Sequence, residues 1–303
     1  MNYTQLKAFH AVAVSGGLTK AAAMLNVTQP AITRQLKILE EDHGVSLFHR
    51  RGHNLELTDA GNALFSVSQR VFALMAEADE LISNEAELKS GRVRVGADSA
   101  YFIMDILAAF KERYPGMELT VSMSSARDLF QRLREYEFDV AIVTAEQLEE
   151  DFFGIPYLNL ELVLLVGEGH RLYEEDGVSL EQLVGEPLIL REETSTTRRL
   201  FTNALANAGV EPCIAMELRN QDAVREAVVA GLGIAPELVG VLRTDERLRR
   251  LSIKDAPIVC NEFITCRRDR FVLRKVRAFF ELAVETGPLK GEWDRILAEY
   301  IKS

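Results

Sequence analysis

The chain lacks any long apolar run. Nowhere in its 303 residues do the roughly 18 consecutive apolar residues of a membrane span occur, which excludes an integral helical membrane protein. Cysteine is scarce. Cys213, Cys260 and Cys266 are an odd number without a Cys-x-x-Cys pair, which argues against a disulfide framework and against a zinc ribbon. Histidine is nearly missing from the long C-terminal part, where His170 alone, on a predicted surface turn, offers no triad. Neither a Gly-x-Ser-x-Gly elbow nor a phosphate-binding Gly-Lys loop is present. Gly231-Leu232-Gly233 leads to Pro236 rather than completing a dinucleotide fingerprint. Cys260 and Cys266, in or beside a predicted strand, read as small core residues. The expectation is therefore a protein that is not an enzyme, with no metal and no cofactor. Residues 1–7 lack a basic segment followed by an apolar one, so a cytoplasmic location is expected.

What the chain does have is acid: its net charge is −11, and 48% of its residues are hydrophobic, as in a soluble globular protein. The acid is unevenly spread. Residues 1–58 carry six Lys and Arg against four Asp and Glu, a net +2, which leaves −13 on the other 245 residues. His10, His43, His49 and His53 also fall in the first segment. A basic module joined to an acidic body fits a DNA reader whose body is repelled by DNA. Charge alone does not separate this from an ordinary amphoteric surface.

The pattern of residues 4–15 predicts a helix ended by Gly16-Gly17. Thr19 is a candidate cap for a second, short helix over 20–25, and Thr28 for a third that carries Pro30 in its first turn. In the third helix Ile32, Leu36 and Leu39 share one face and must point inward, which puts Gln29, Thr33, Arg34 and Lys37 outward. Amide, hydroxyl and cationic groups on one helix face are the equipment of a major-groove reader. Two short strands around Gly52 follow, with Arg50 and Arg51 at the tip, placed to grip phosphate. The prediction is a helix-turn-helix with a wing; a three-helix bundle with a merely solvated polar face satisfies the same pattern.

Residues 59–89 contain no proline, and Leu64, Val67, Val71, Leu74, Ala78, Leu81, Glu85 and Leu88 follow a 3,4 alternation. A long helix with such a seam needs a partner, either a second copy or its own domain. The preferred expectation is a dimerisation helix, which favours a two-fold-related site on double-stranded DNA. From residue 92 onward strand and helix patterns alternate, which predicts α/β organisation with mainly parallel sheets. Gly287-Pro288 ends the last core helix, and residues 291–301 predict one more.

Ligands of such sheets bind beyond the carboxyl ends of the strands. Asp98, Ser99 and Tyr101 follow the first predicted strand, Ser124 and Ser125 the second, and Thr144 a fully buried third. Thr194, Ser195, Thr196, Thr197 and Arg198 follow Leu188-Ile189-Leu190 and open a helix, a hydroxyl-rich start suited to an anion. Asp98 and Asp222 are carboxylates suited to a ligand that also carries an ammonium. Any one of these loops is equally explained as helix capping; three converging loops favour a small-molecule site.

Leu18-Thr19-Lys20-Ala21-Ala22, residues 25–40 (LNVTQPAITRQLKILE), Gly44-Val45-Ser46-Leu47-Phe48-His49-Arg50 and Leu57-Thr58-Asp59-Ala60-Gly61 together resemble the N-terminal signature of LysR-type transcriptional regulators. The resemblance runs on through nearly the whole chain. Thr28 and Thr33 stand where that family more often has serine, and the hydroxyl is kept. The resemblance implies DNA contacts by Thr28, Gln29, Pro30, Thr33, Arg34 and Lys37, with Arg50 and Arg51 on the wing. It further implies an effector domain of two α/β subdomains, similar to periplasmic binding proteins, and tetramers built from dimers. The implied division is a winged helix-turn-helix over 1–58, a linker helix over 59–89 and an effector domain over 92–303. Its subdomains would span about 92–161 with 266–303, and about 162–265. More narrowly, Val95-Gly96-Ala97-Asp98-Ser99 and Leu190-Arg191-Glu192 with Thr197-Arg198-Arg199-Leu200-Phe201 resemble a subgroup associated with aminoethylphosphonate catabolism. So does Ala223 with the run to Gly233, although its Ala230-Gly231-Leu232-Gly233 end is common to the whole family. Open alternatives are a small-anion sensor acting through a protein partner and an enzyme of phosphonate metabolism.

Overall fold

The computed structural model describes residues 1–51, 54–82, 88–100, 103–239 and 245–302. The first unit begins with α1 (Tyr3–Ser15), α2 (Leu18–Leu25) and α3 (Gln29–His43). Asn2 opens α1 with a capping box: its Oδ1 accepts the Gln5 N–H at 2.9 Å and its own N–H donates to Gln5 Oε1 at 2.7 Å. Gly16 closes α1 in the left-handed region at φ 70°, where a side chain would be strained. Residue 19 lies inside α2, not at its start. Gly17 holds the cap position, so the expected capping role of Thr19 is not found.

Phe9, Val12, Ala21, Ala22, Ile32, Leu36 and Leu39 form one buried core, so the inward face expected of α3 is the one it uses. Two strands, β1 (Phe48–Arg51) and β2 (Asn54–Leu57), pair antiparallel and make the wing. The long helix α4 (Asp59–Ile82) then begins tightly against the wing: a Cβ on Gly61 would collide with the Leu47 carbonyl oxygen. The seam expected on α4 divides. Leu64 and Val71, with Phe65 and Phe72, pack on the module's own core. Val67, Leu74 and Met75 remain 50%, 49% and 41% exposed. Leu88 and Lys89 are not helical, and Leu88 packs against the core of the second unit instead of extending the seam. Glu85 lies outside the described residues.

The second unit is built on β3 (Gly91–Ala97), α5 (Met104–Arg113), β4 (Met117–Met123), α6 (Ala126–Arg134), β5 (Val140–Ala145), β6 (Phe152–Gly167), β7 (Gly177–Val178), β8 (Pro187–Arg191), α7 (Thr196–Asn207) and β9 (Cys213–Leu218). It continues with α8 (Gln221–Val229), β10 (Ala235–Val239), β11 (Leu248–Ile253), β12 (Val259–Arg267), α9 (Arg274–Thr286) and α10 (Trp293–Lys302). One sheet runs through it in the order β4-β3-β5-β12-β6-β11-β7, with β10 also on β6 and a separate parallel pair β8-β9. The expectation of mainly parallel sheets is corrected: β3 pairs parallel with β4 and β5, but β12 and β6 run antiparallel to their neighbours. These two are the strands that cross between subdomains, and a strand that leaves and one that returns must run in opposite senses.

The crossing shows in what each half of β6 buries. Phe153, Ile155 and Tyr157 join a core with Val95, Phe110, Phe271 and Phe279, while Leu162, Leu164 and Val166 join another with Leu190, Phe201 and Leu251. Strand β5 is buried along its whole length, as a central strand covered on both faces requires. At its start Asp139, fully buried, takes the Arg94 N–H at 2.8 Å and lies 3.1 Å from Lys275 Nζ and 3.5 Å from the Arg270 guanidinium. Burial alone would raise its pKa; Lys275 and Arg94 outweigh that and hold it below the usual carboxylate range. No helix among the described residues is long and apolar enough to cross a membrane.

Candidate DNA-binding face and effector cleft

On the first unit Thr28, Gln29, Pro30, Thr33, Arg34 and Lys37 are all exposed along one side of α3. Thr28 holds the cap position, yet its exposed side chain makes no capping hydrogen bond. The Thr33 hydroxyl donates back to the Gln29 carbonyl at 3.1 Å, and Lys37 reaches Glu41 at 3.5 Å. Arg34 has neither an ion pair nor a hydrogen-bond partner among the described residues, so its guanidinium is available to an outside acceptor. Arg50 and Arg51 fall on β1, with side chains outside the described residues.

On the second unit a cleft of about 960 Å3 opens between the two subdomains. One wall is made by the ends of β3, β4 and β5 with Asp98, Ser99, Ser124, Ser125 and Thr144, and the other by Thr194, Ser195, Thr196 and Thr197, which follow β8, and by Asp222. Ten of the twelve candidates from the sequence thus share one cavity. Tyr101 lies outside the described residues. Arg198 is not among the residues that line the cleft. It donates to the Arg191 carbonyl at 2.8 Å and to Glu217 at 2.6 Å, so its charge is already engaged by the frame. Ser195 is the N-cap of α7, its hydroxyl accepting the Arg198 N–H, so the positive end of that helix opens at the cavity.

Four arginines line the cavity that strand-end reasoning did not select: Arg191, Arg219, Arg225 and Arg250. Arg191 forks onto Glu192 at 2.8 and 2.9 Å, and burial, which would raise the Glu192 pKa, is outweighed by that contact so that the group lies below its usual range. Arg225 donates to buried Glu237 at 2.6 Å, where Gln221 also donates at 3.0 Å. Arg191 directly follows the predicted run Leu188-Ile189-Leu190 and ends the observed strand β8. Arg225, Glu237 and Arg250 come from a helix and from antiparallel strands, whose approach to the cleft has no local signal.

Asp98 departs from the simple exposed carboxylate. Its Oδ2 accepts the Thr144 N–H at 2.7 Å, and burial pushes its pKa up against that hydrogen bond. No group of three or more His, Cys, Asp or Glu side chains among the described residues is arranged to hold a metal ion.

Both sites agree with what the sequence matches. Residues 3–62 match the model of the bacterial regulatory helix-turn-helix protein, lysR family, and residues 86–288 match the LysR substrate binding domain. The chain belongs to the LysR family. It is a helix-turn-helix transcriptional regulator with an effector-binding domain, not an enzyme. It is 31% identical over 294 residues to the HTH-type transcriptional regulator CbbR of Xanthobacter flavus, covering 93% of this chain and 87% of that one. It is 31% identical over 233 residues to the HTH-type transcriptional activator CmpR of Synechocystis sp., covering 76% and 77%. Full-length OxyR from Pseudomonas aeruginosa has the same fold, with a TM-score of 0.77 at 20% identity over 95% of this chain and 96% of that one. The regulatory domain of Synechocystis CcmR, solved in complex with 2-PG, has a TM-score of 0.60 at 24% identity over 66% and 99%. These relatives give the LysR regulator no tie to aminoethylphosphonate, so the narrower subgroup resemblance gains nothing from them.

Proposed function

We propose that this regulator binds a two-fold-related operator through α3 and the wing, as a dimer or as a tetramer built from two dimers, and that a small anion in the cleft controls it in the cytoplasm. Thr28, Gln29, Pro30, Thr33, Arg34 and Lys37 read or grip the DNA, with Arg50 and Arg51 on the flanking phosphates. The anion is received by Ser124 and Ser125 on one wall and by Thr194, Ser195, Thr196 and Thr197 on the other. The observation that carries this reading is the meeting of these hydroxyls with the N-terminus of α7 in one cavity of about 960 Å3, within the range of small-molecule sites. A phosphonate or phosphate head group suits such donors, and 2-aminoethylphosphonate is the specific candidate. A ligand that draws the two walls together changes the set of the DNA-binding elements by favouring one of two assembly geometries.

Gel-shift titration with the DNA upstream of its own gene tests the first part: retardation is expected, and none would favour the sensor that acts through a protein partner. Calorimetry with 2-aminoethylphosphonate, inorganic phosphate and 2-PG tests the second. Saturable heat with at least one, reduced by Thr196→Ala, is expected; heat with none would remove the small-anion effector.

A further inference from the structure

Two buried side-chain oxygens, Oδ1 of Asp98 and Oε1 of Glu262, have no hydrogen-bond partner among the described residues. They belong to two carboxyls that share a single clamp. The Thr144 N–H donates to Asp98 Oδ2 at 2.7 Å, and the Thr144 hydroxyl donates to Glu262 Oε2 at 2.6 Å. The two carboxyls also lie within hydrogen-bond reach of each other. Glu262 is fully buried on crossing strand β12, opposite Thr144 of β5 and Leu158 of β6, where the register slips between Glu262 and Phe263. The residue left over by the slip is Tyr157 of β6, while against β5 the register of β12 runs unbroken and sets Glu262 beside Thr144, whose N–H holds the cleft residue Asp98.

No cation touches the pair among the described residues. Arg191 acts on Asp98 only through space, and its guanidinium is already forked onto Glu192. Cys260, two residues before Glu262 on β12, brings no positive charge either: burial pushes its thiol up to about 11. Two acceptor-only groups with an unused oxygen each, side by side, cannot both stay ionised and dry. Something must bring hydrogen to Oδ1 and Oε1.

We propose that Asp98 and Glu262 together receive a cationic nitrogen of the effector, which takes the place of a proton held between the two carboxyls when effector is absent. The inference rests on the small-molecule cleft described above and adds to it the class of ligand, an amine-bearing anion, and the linkage of its binding to pH. An ammonium brings several N–H donors and one positive charge. The displaced proton leaves to solvent, the pair goes from one negative charge to two, and pair plus ligand nitrogen keep the net charge the pair had before. Burial and the nearby Asp98 charge push Glu262 well above the usual carboxyl range, the direction that favours a proton held by the pair. A primary amine with a pKa of about 10 stays charged throughout that range. Release of one proton makes affinity rise with pH by up to about tenfold per unit, until the pair loses its proton unaided.

The test titrates the full chain calorimetrically with amine-bearing anions and their amine-free counterparts: 2-aminoethylphosphonate against ethylphosphonate, and β-alanine against propionate. Runs at pH 6, 7 and 8, in two buffers of different ionisation enthalpy, count the protons exchanged. The expected result is that an amine-bearing probe binds and its counterpart does not. Affinity should climb toward tenfold per pH unit, with close to one proton released. In Glu262→Gln, and separately in Asp98→Asn as a second check on folding, proton release should vanish and affinity should fall at least tenfold. Equal or tighter binding of an amine-free probe, or binding without proton release, overturns the inference while the small-anion reading survives. No binding by any probe, with phosphate and 2-PG also silent, overturns both.

Discussion

Thr196 on α7 donates its hydroxyl to the Thr144 carbonyl near the end of β5, 3.3 Å away, so a hydrogen bond joins the two subdomains across the cleft, beside the 2.8 Å ion pair of Arg199 with Glu146. Thr144 thereby carries three tasks: it clamps Asp98, holds Glu262 and accepts from the opposite wall. Thr196→Val keeps the shape and removes the bond. It should cost about 1 kcal/mol or less of stability, yet reduce effector affinity several-fold by favouring an open cleft. Thermal unfolding alongside ligand titration checks this, and a variant with unchanged affinity would deny that the bond takes part in closure.

Arg34 is a cation on the exposed α3 face with no partner among the described residues. Arg34→Ala should weaken operator binding roughly ten- to hundredfold, the usual range for a lost base or phosphate contact, without moving the melting temperature. The wild-type affinity should fall linearly on a log–log plot against salt, and the variant's slope should be shallower by about one if Arg34 holds a phosphate. A flat salt response would remove the phosphate contacts altogether.

Asp139 has the opposite character, a charge that is wholly internal. Asp139→Asn leaves Lys275 and Arg270 facing a neutral amide and should destabilise by about 3–5 kcal/mol, as broken buried pairs do. Because the folded-state pKa is depressed, the carboxylate's contribution is present above the unfolded value of about 4 and is lost as pH falls through the lower folded value. Denaturant melts between pH 7 and pH 3 should show that loss in the wild type and not in the variant.

On α4, Val67 and Leu74 stay half exposed while Leu64 and Val71 are committed to the module's own core. With Met75, the exposed pair is the apolar surface that α4 offers to a second copy among the described residues. Leu74→Glu should therefore lower the oligomeric state in sedimentation velocity with helicity unchanged, whereas a substitution at Leu64 should cost stability first.

Much of the recognition module was legible because its information is local. A 3.6-residue period sorts Ile32, Leu36 and Leu39 from Gln29, Thr33, Arg34 and Lys37 whatever the rest of the chain does. The cleft was half legible. Loops at strand ends could be named, but the chemistry of Asp98 depends on Glu262, which lies 164 positions away on a crossing strand and meets it at Thr144. Arg198 shows the converse. A basic residue in the first turn of a helix reads as an anion ligand, and the folded chain spends it on the Arg191 carbonyl and Glu217.

The sequence by itself determined the helix-turn-helix, its outward polar face, the alternation of strands and helices, and the loops that carry hydroxyls, since each follows from periodicity or capping within a few residues. Only the tertiary structure decided that β6 and β12 cross antiparallel through one continuous sheet, which residues of α4 are already buried, and that two carboxyls share Thr144 at the cleft. Those outcomes depend on contacts between residues far apart in the chain, and burial, which sets both packing and pKa, exists only after the chain has closed on itself.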